Sequence, residues 1–98
     1  MNEQQKIDIN ISEEVAQGVY SNLVVITHSN AEFIMDFVAM MPGVPKANVR
    51  SRVVMTPQNA KRFLGALNEN IKKFEEKNGP IKETAMDVPM IGNGGAQA

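Results

Sequence analysis

The fold is decided by residues 48–80, NVRSRVVMTPQNAKRFLGALNENIKKFEEKNGP. Asn48–Met55 alternates and is rich in β-branched side chains, which predicts a strand. Thr56 is a good helix N-cap and Pro57 suits the first helical position. Apolar residues then recur at intervals of three and four, which predicts an amphipathic helix that ends at Gly79 and Pro80. Those apolar residues are Ala60, Phe63, Leu64, Leu67, Ile71 and Phe74.

Two further strands are predicted nearer the N-terminus. Residues 6–11 alternate Ile7, Ile9 and Ile11 with polar residues, a pattern typical of a half-buried strand. Ser12 is placed to cap a short helical turn through Ala16, and Gly18 ends that turn. Residues 19–28 are again rich in β-branched side chains, which favours a second strand.

Residues 33–41 are ambiguous, because their apolar spacing also satisfies a helix. We favour a strand, since the segment is short and lies between turn signals at residues 29–32 and 42–46. The prediction is an α+β domain over residues 1–82, with a four-stranded antiparallel β-meander and one C-terminal amphipathic α-helix. Residues 83–98 include a Gly-rich end and are predicted to form a flexible, disordered tail.

The predicted meander has two apolar faces. Its turns place His28 opposite Phe33, Ile26 opposite Met35, and Phe37 near Val53. The Met35 face comprises Val24, Ile26, Phe33, Met35, Phe37, Met41, Val49, Val53 and Met55. We expect the helix to lie over this face.

The opposite face, called the Asp36 face, is also mostly apolar. One helix cannot cover both faces of a sheet, and a solvated face would be polar. A second copy of the chain is therefore expected to cover it, giving a homodimer or larger assembly. The predicted interface residues are Leu23, Val25, Ile34, Asp36, Val38, Met40, Arg50 and Arg52.

The polar residues of the predicted sheet suggest no catalytic site. Asp36 shares its face with Arg50 and Arg52, so a cross-strand ion pair is the expected arrangement, and recognition of a charged group is the alternative. His28, the only histidine, is expected to be a polar strand end rather than a metal ligand. No second acid or base accompanies either residue at a recognisable spacing. We expect no catalytic residue, no metal and no cofactor.

The composition of the chain also limits the classes of partner that we expect. The 98-residue chain has a net charge of −1 and no cysteine, which excludes disulfides and thiolate sites. Its basic residues lack neighbouring aromatic side chains for stacking, so nucleic acid is an unlikely partner. The N-terminus lacks a signal-peptide pattern, and the longest apolar run covers only residues 23–26. A cytoplasmic protein without a membrane partner is expected.

Several short motifs resemble a small bacterial family known only as a domain of unknown function. They are residues 18–22, 26–29, 32–37, 42–43 and 49–53, Pro57 with Ala60 and Lys61, Asn70 with Phe74 and Glu75, and residues 79–81. The resemblance covers about residues 6–82. It implies a short cytoplasmic protein with no assigned activity, and gene neighbourhoods beside the large RNA polymerase subunits imply a transcription-related partner. The predicted layout also looks like a subunit of the export chaperone SecB, which assembles sheets across a dimer.

The function predicted from the sequence is therefore a non-enzymatic protein-interaction or oligomerisation module, accessory to a larger bacterial machine such as that of transcription. One alternative is a chaperone-like binder of extended apolar segments, which would use the methionine-rich surface. The other alternative is a small enzyme or ligand binder built around His28 and Asp36.

Overall fold

The computed structural model describes residues 6–83, which form one antiparallel sheet and two helices. In chain order the elements are α1 (Glu13–Ala16), β1 (Leu23–His28), β2 (Phe33–Ala39), β3 (Asn48–Met55) and α2 (Pro57–Asn78). The strand order is β1-β2-β3. The predicted α+β class and the C-terminal helix are confirmed. The predicted tail lies outside the described residues, except for Glu83.

The prediction of four strands is wrong for the described residues, because residues 6–11 do not join the sheet. Their alternation is real, but a strand needs a neighbour that accepts and donates its backbone hydrogen bonds. No such neighbour lies beside them in residues 6–83. Ile7, Ile9 and Ile11 are accordingly 80%, 91% and 66% exposed.

The first hairpin has the register that the sequence predicts. Ile26 lies opposite Met35, and His28 lies opposite Phe33. The turn is closed by the Ser29 N–H, which donates to the Glu32 carbonyl oxygen at 2.9 Å. Because β2 pairs along both of its edges, residues 33–39 are a strand, and the helical alternative is wrong.

The strand β1 begins later than predicted, at Leu23 rather than residue 19. Side-chain hydrogen bonds fix the position of the residues just before β1. The Asn22 side chain donates to the Met40 carbonyl oxygen at 3.0 Å and accepts from the Met40 N–H at 2.8 Å. The Ser21 hydroxyl donates to the Val38 carbonyl oxygen at 3.1 Å. These bonds hold the start of β1 against the end of β2.

The second hairpin differs from the predicted register. Phe37 faces Ser51 instead of Val53, a shift of two residues that leaves the side chains of residues 51–55 on their expected faces. An irregularity between Phe37 and Val38 then sets Val49 opposite Val38. Such a bulge inserts one extra residue into one strand. Val49 therefore lies on the Asp36 face, and Met41 lies in the loop beyond β2.

The ends of α2 are those that the sequence predicts. The Thr56 hydroxyl accepts a hydrogen bond from the Asn59 N–H at 3.1 Å, and Pro57 occupies the first turn. Gly79 ends the helix at φ 87°, and its N–H donates to the Glu75 carbonyl oxygen at 2.8 Å. A positive φ of this kind favours glycine over any residue with a Cβ atom.

The expected packing of α2 over the Met35 face is wrong. In the described part of the chain, extensive contacts between elements are confined to neighbouring strands, and α2 lies along none of them. Only Thr56, in an extended conformation, separates β3 from α2. The chain therefore passes from strand to helix without a loop that would turn α2 back across its own sheet.

The apolar core of the single chain is very small. Among the described residues only Met35 and Val38, both in the central strand, are buried, at 4% and 5% exposure. Nineteen large apolar residues of the described segment are exposed. A chain of this size is expected to bury roughly 60–65% of its unfolded surface around one core. The single chain thus leaves most of its apolar side chains without a covering layer.

Candidate protein-interaction surface

The Met35 face of the sheet is a nearly continuous apolar surface. Cross-strand neighbours align Ile26, Met35 and Val53 in one row and place Val24 beside Phe37. Val24, Ile26 and Val53 remain exposed at the two outer strands, while Met35 is buried between its neighbours. No described element lies over this face to complete a second layer.

The Asp36 face contains most of the predicted interface residues. Leu23 lies beside Val38, and Val25 lies beside Asp36, which in turn lies beside Arg52. Leu23, Val25, Ile34 and Asp36 are half-buried and Val38 is buried. The structure therefore brings six of the eight predicted residues onto one sheet face.

The other two predicted residues lie at the border of this face. Met40 follows the end of β2 and is half-buried, while Arg50 is exposed where the β2–β3 register shifts. Their role in an interface, like that of the other six, stays a prediction.

The only ion pair in the described part of the chain joins Asp36 to Arg52 across neighbouring strands. Arg52 Nε donates to Asp36 Oδ1 at 2.6 Å, and Arg52 Nη2 donates to Asp36 Oδ2 at 2.9 Å. This two-point geometry is the strongest way for a guanidinium to hold a carboxylate. The predicted cross-strand pair is confirmed for Arg52, and Arg50 takes no part in it.

The ion pair shifts both titrating groups toward their charged forms. The hydrogen bond from Arg52 lowers the pKa of Asp36, burial opposes that change, and the guanidinium charge adds to it. The hydrogen bond to Asp36 likewise raises the pKa of Arg52. The Asp36 side chain is 13% exposed and that of Arg52 is 61% exposed. The Arg52 side chain is therefore accessible to a further partner.

The structure does not bring His28 and Asp36 together. His28 shares the Met35 face with Phe33, and the two rings stack with centroids 5.2 Å apart. Asp36 lies three residues beyond Phe33 along β2, which places the Asp36 side chain on the opposite face of the sheet. No group of three or more His, Asp or Glu side chains within residues 6–83 is arranged to hold a metal ion.

The helix α2 adds a surface that sequence reasoning assigned to the core. Its apolar stripe, here called the α2 stripe, is exposed along its whole length, at 37–67%. The stripe consists of Phe63, Leu64, Leu67, Ile71 and Phe74. Its periodicity was visible in the sequence. The missed signal is the single residue between β3 and α2, which leaves no length of chain for a return across the sheet.

A family model described as "Protein of unknown function (DUF3467)" matches residues 1–83. The chain belongs to this family. The match confirms the resemblance read from the motifs, although the four-strand layout expected with it is not found in the described residues. No curated protein and no solved structure matches the chain significantly.

The description of the DUF3467 family names no activity, so a functional proposal for this chain rests on the chemistry of its surface. That surface combines two incompletely covered sheet faces, the α2 stripe and the exposed isoleucines of residues 6–11. Within the described residues, no helix is both long enough and apolar enough to cross a membrane. Exposed apolar surface of this kind is typical of sites that contact another protein or a membrane.

Proposed function

We propose that this chain is a non-enzymatic protein-interaction module that assembles as a homodimer or larger oligomer. One observation carries the proposal: two apolar side chains are buried in the described chain, and nineteen large ones are exposed. Exposed apolar surface of this extent is unfavourable in water and marks an interface. A second copy is the simplest cover, because two-fold self-association is the commonest form of oligomer.

The α2 stripe supplies much of the driving force for this association. Complete burial of a Leu, Ile or Phe side chain is worth roughly 1.5–3 kcal/mol. Since the five side chains are 37–67% exposed, about half of that gain is still available, or roughly 5 kcal/mol for each helix. The net charge of −1 adds little repulsion between copies.

The wider proposal is an accessory protein of a larger bacterial machine in the cytoplasm, with a transcription-related partner. The sequence resemblance supports this role, and the absence of cysteine fits a reducing compartment. A pull-down of the tagged full chain from its own cell lysate tests it. Recovery of one stoichiometric complex supports the role. A preparation that yields only the chain itself contradicts it.

A chaperone-like binder of extended apolar segments is the second candidate. The observation in its favour is that, among residues 6–83, β1 and β3 each pair only with β2, so each presents an open edge beside exposed apolar side chains. An extended peptide could add to such an edge by backbone hydrogen bonds. This candidate predicts that the purified chain suppresses aggregation of unrelated unfolded proteins. The third candidate, a small enzyme around His28 and Asp36, lacks geometric support because these residues occupy opposite faces.

Self-association is tested by the mass of the full chain in solution and its response to one charge on the α2 stripe. Leu67→Lys places an ammonium group in the stripe of both copies. Each copy then loses the apolar gain still available to Leu67, roughly 0.7–1.4 kcal/mol, so the two losses together reach about 1.4 kcal/mol or more and should weaken the dimer at least about tenfold. Ala66→Lys introduces the same side chain one position away, outside the stripe, and should leave the mass unchanged. Light scattering at several concentrations measures both.

Two results would contradict the proposal. One is a monomeric wild-type chain throughout the micromolar range. The other is an equal loss of mass in both variants, which would mean that added charge, rather than the α2 stripe, controls association.

A further inference from the structure

Residues 6–11, here called the N-terminal arm, have the pattern of a strand but no strand partner in the described chain. In an extended conformation, the alternation would place Ile7, Ile9 and Ile11 on one side of this segment and Lys6, Asp8 and Asn10 on the other. Three isoleucines exposed to this degree are unusual for a segment with such regular alternation. The pattern is that of a strand whose sheet is supplied from elsewhere.

The sheet has two open edges to which such a strand can add. Both β1 and β3 pair only with β2 among the described residues. The outer edge of each strand presents backbone N–H and C=O groups that are a template for another strand. The arm has the matching backbone groups and the matching alternation.

Charge favours the edge of β3 over the edge of β1. Arg50 and Arg52 lie on β3, whereas β1, Leu23–His28, has no carboxylate, lysine or arginine. With Asp8 set beside Arg52, Ile7 and Ile9 fall beside Ser51 and Val53 in either strand direction. The isoleucines then extend the apolar Met35 face, and the Asp8 carboxylate lies near the exposed guanidinium of Arg52. Opposite charges on neighbouring strands stabilise pairing.

The position of β1 favours an edge that belongs to a second copy. The arm precedes α1 and β1, and β1 lies at the opposite side of the sheet from β3. To pair with its own β3, the arm would have to span the width of the three-stranded sheet from β1. In a two-fold dimer, each arm closes the β3 edge of the other copy without such a crossing.

We infer that the N-terminal arm adds as a fourth strand to the β3 edge of a second copy of this chain, with Asp8 beside the partner's Arg52. This inference rests on the proposed self-association and specifies one of its contacts. It also accounts for the strand pattern of residues 6–11, which has no strand partner within the described part of a single chain. The arm exchange predicts which residue pairs lie within disulfide distance across the dimer.

Cysteine cross-linking between full-length chains tests this arrangement, because the natural chain has no cysteine. An Ile9→Cys chain is refolded together with a Ser51→Cys chain, and separately with a Val53→Cys chain, to cover both strand directions. The matched control combines Ile9→Cys with Ile26→Cys, which lies on the same face but on the other edge strand. One of the two β3 combinations should form at least tenfold more mixed disulfide dimer than the control. Asp8→Lys should reduce that yield severalfold, and Asp8→Glu should retain it.

The outcomes separate this inference from the proposed function. Equal cross-linking to Ile26→Cys, or no cross-linking in any combination while light scattering still shows a dimer, overturns the arm exchange and leaves self-association standing. A disulfide formed within one chain of an Ile9→Cys/Ser51→Cys double variant also overturns it. A monomeric wild-type chain overturns both.

Discussion

Among single residues, Asp36 and Arg52 have the most specific geometry in the sheet. Two hydrogen bonds of 2.6 Å and 2.9 Å hold the carboxylate against the guanidinium. The pair lies on a face that is otherwise mostly apolar, so it fixes which residues of β2 and β3 lie opposite each other. Loss of one partner would leave the other charge without compensation on that face.

The ion pair predicts how stability changes in acid. The pKa of Asp36 in the folded chain is lowered from its ordinary value of 3.8. The pair therefore stabilises the folded chain at pH values above 3.8, and this contribution is lost as the pH falls through the lowered pKa. Asp36→Asn should remove that part of the acid dependence. Urea unfolding from neutral to strongly acidic pH measures it.

Glu76→Gln is the matched control, because Glu76 makes no ion pair within the described residues. Its unfolding should keep the acid dependence of the natural chain. If Asp36→Asn and the natural chain lose stability in parallel below pH 3.8, the ion pair does not stabilise the fold in the way described.

At the scale of elements, α2 is a 22-residue helix with defined ends and an unused apolar face. Thr56 caps its start through a side-chain hydrogen bond. Gly79 ends it with φ 87° and ψ 169°, a backbone region that is essentially restricted to glycine. Local sequence signals thus specify the helix and its two ends, but they do not specify which element packs against its apolar stripe.

A pair of glycine substitutions tests that local specification. Gly79→Ala should lower the free energy of unfolding by about 1–3 kcal/mol, because alanine is strained in this conformation. Gly65→Ala, in the helix interior, should raise it by about 0.5–1 kcal/mol, because alanine favours the helix. A Cβ atom at either position meets no other atom within 4 Å, so sterics do not separate the two. Chemical unfolding at one protein concentration measures both, and equal effects would contradict the assigned helix end.

Sequence reasoning was most reliable where local chemistry decides the structure. It placed β3 and both ends of α2 at the observed residues, because a strand pattern, an N-cap and a terminal glycine are all encoded nearby. It also placed Asp36 on the same sheet face as Arg50 and Arg52 and expected a cross-strand ion pair there, which forms with Arg52. It failed where a second element was needed. Within the part of the chain that the structure describes, residues 6–11 have a strand pattern without a strand partner, and α2 has an apolar stripe without a sheet beneath it.

The register of the second hairpin shows another limit of sequence reasoning. The prolines of the loop between β2 and β3 mark a turn but do not set which residues of the two strands pair, and the irregularity at Phe37 and Val38 has no sequence signal that we recognise. It moves Val49 from the Met35 face to the Asp36 face. Met41, also predicted on the Met35 face, lies in the loop beyond β2. The other residues assigned to the Met35 face do share it, since a two-residue shift preserves the alternation of side chains.

At the scale of the whole molecule, the single chain is an open arrangement of well-formed elements around almost no core. Folding loses conformational entropy at every ordered residue, and buried apolar surface must compensate for that loss. Two buried apolar residues cannot do so for residues 6–83. The proposed assembly supplies the missing burial by joining sheet faces, α2 stripes and N-terminal arms from two copies.

The central claim is that a second copy supplies the core, and the concentration dependence of thermal unfolding tests it most directly. Association of folded chains stabilises them by mass action, so the melting temperature of the natural chain should rise steadily with protein concentration. Light scattering on the same samples should give at least twice the mass of one chain. A melting temperature that stays constant over a hundredfold dilution, with the mass of a monomer throughout, would contradict the account.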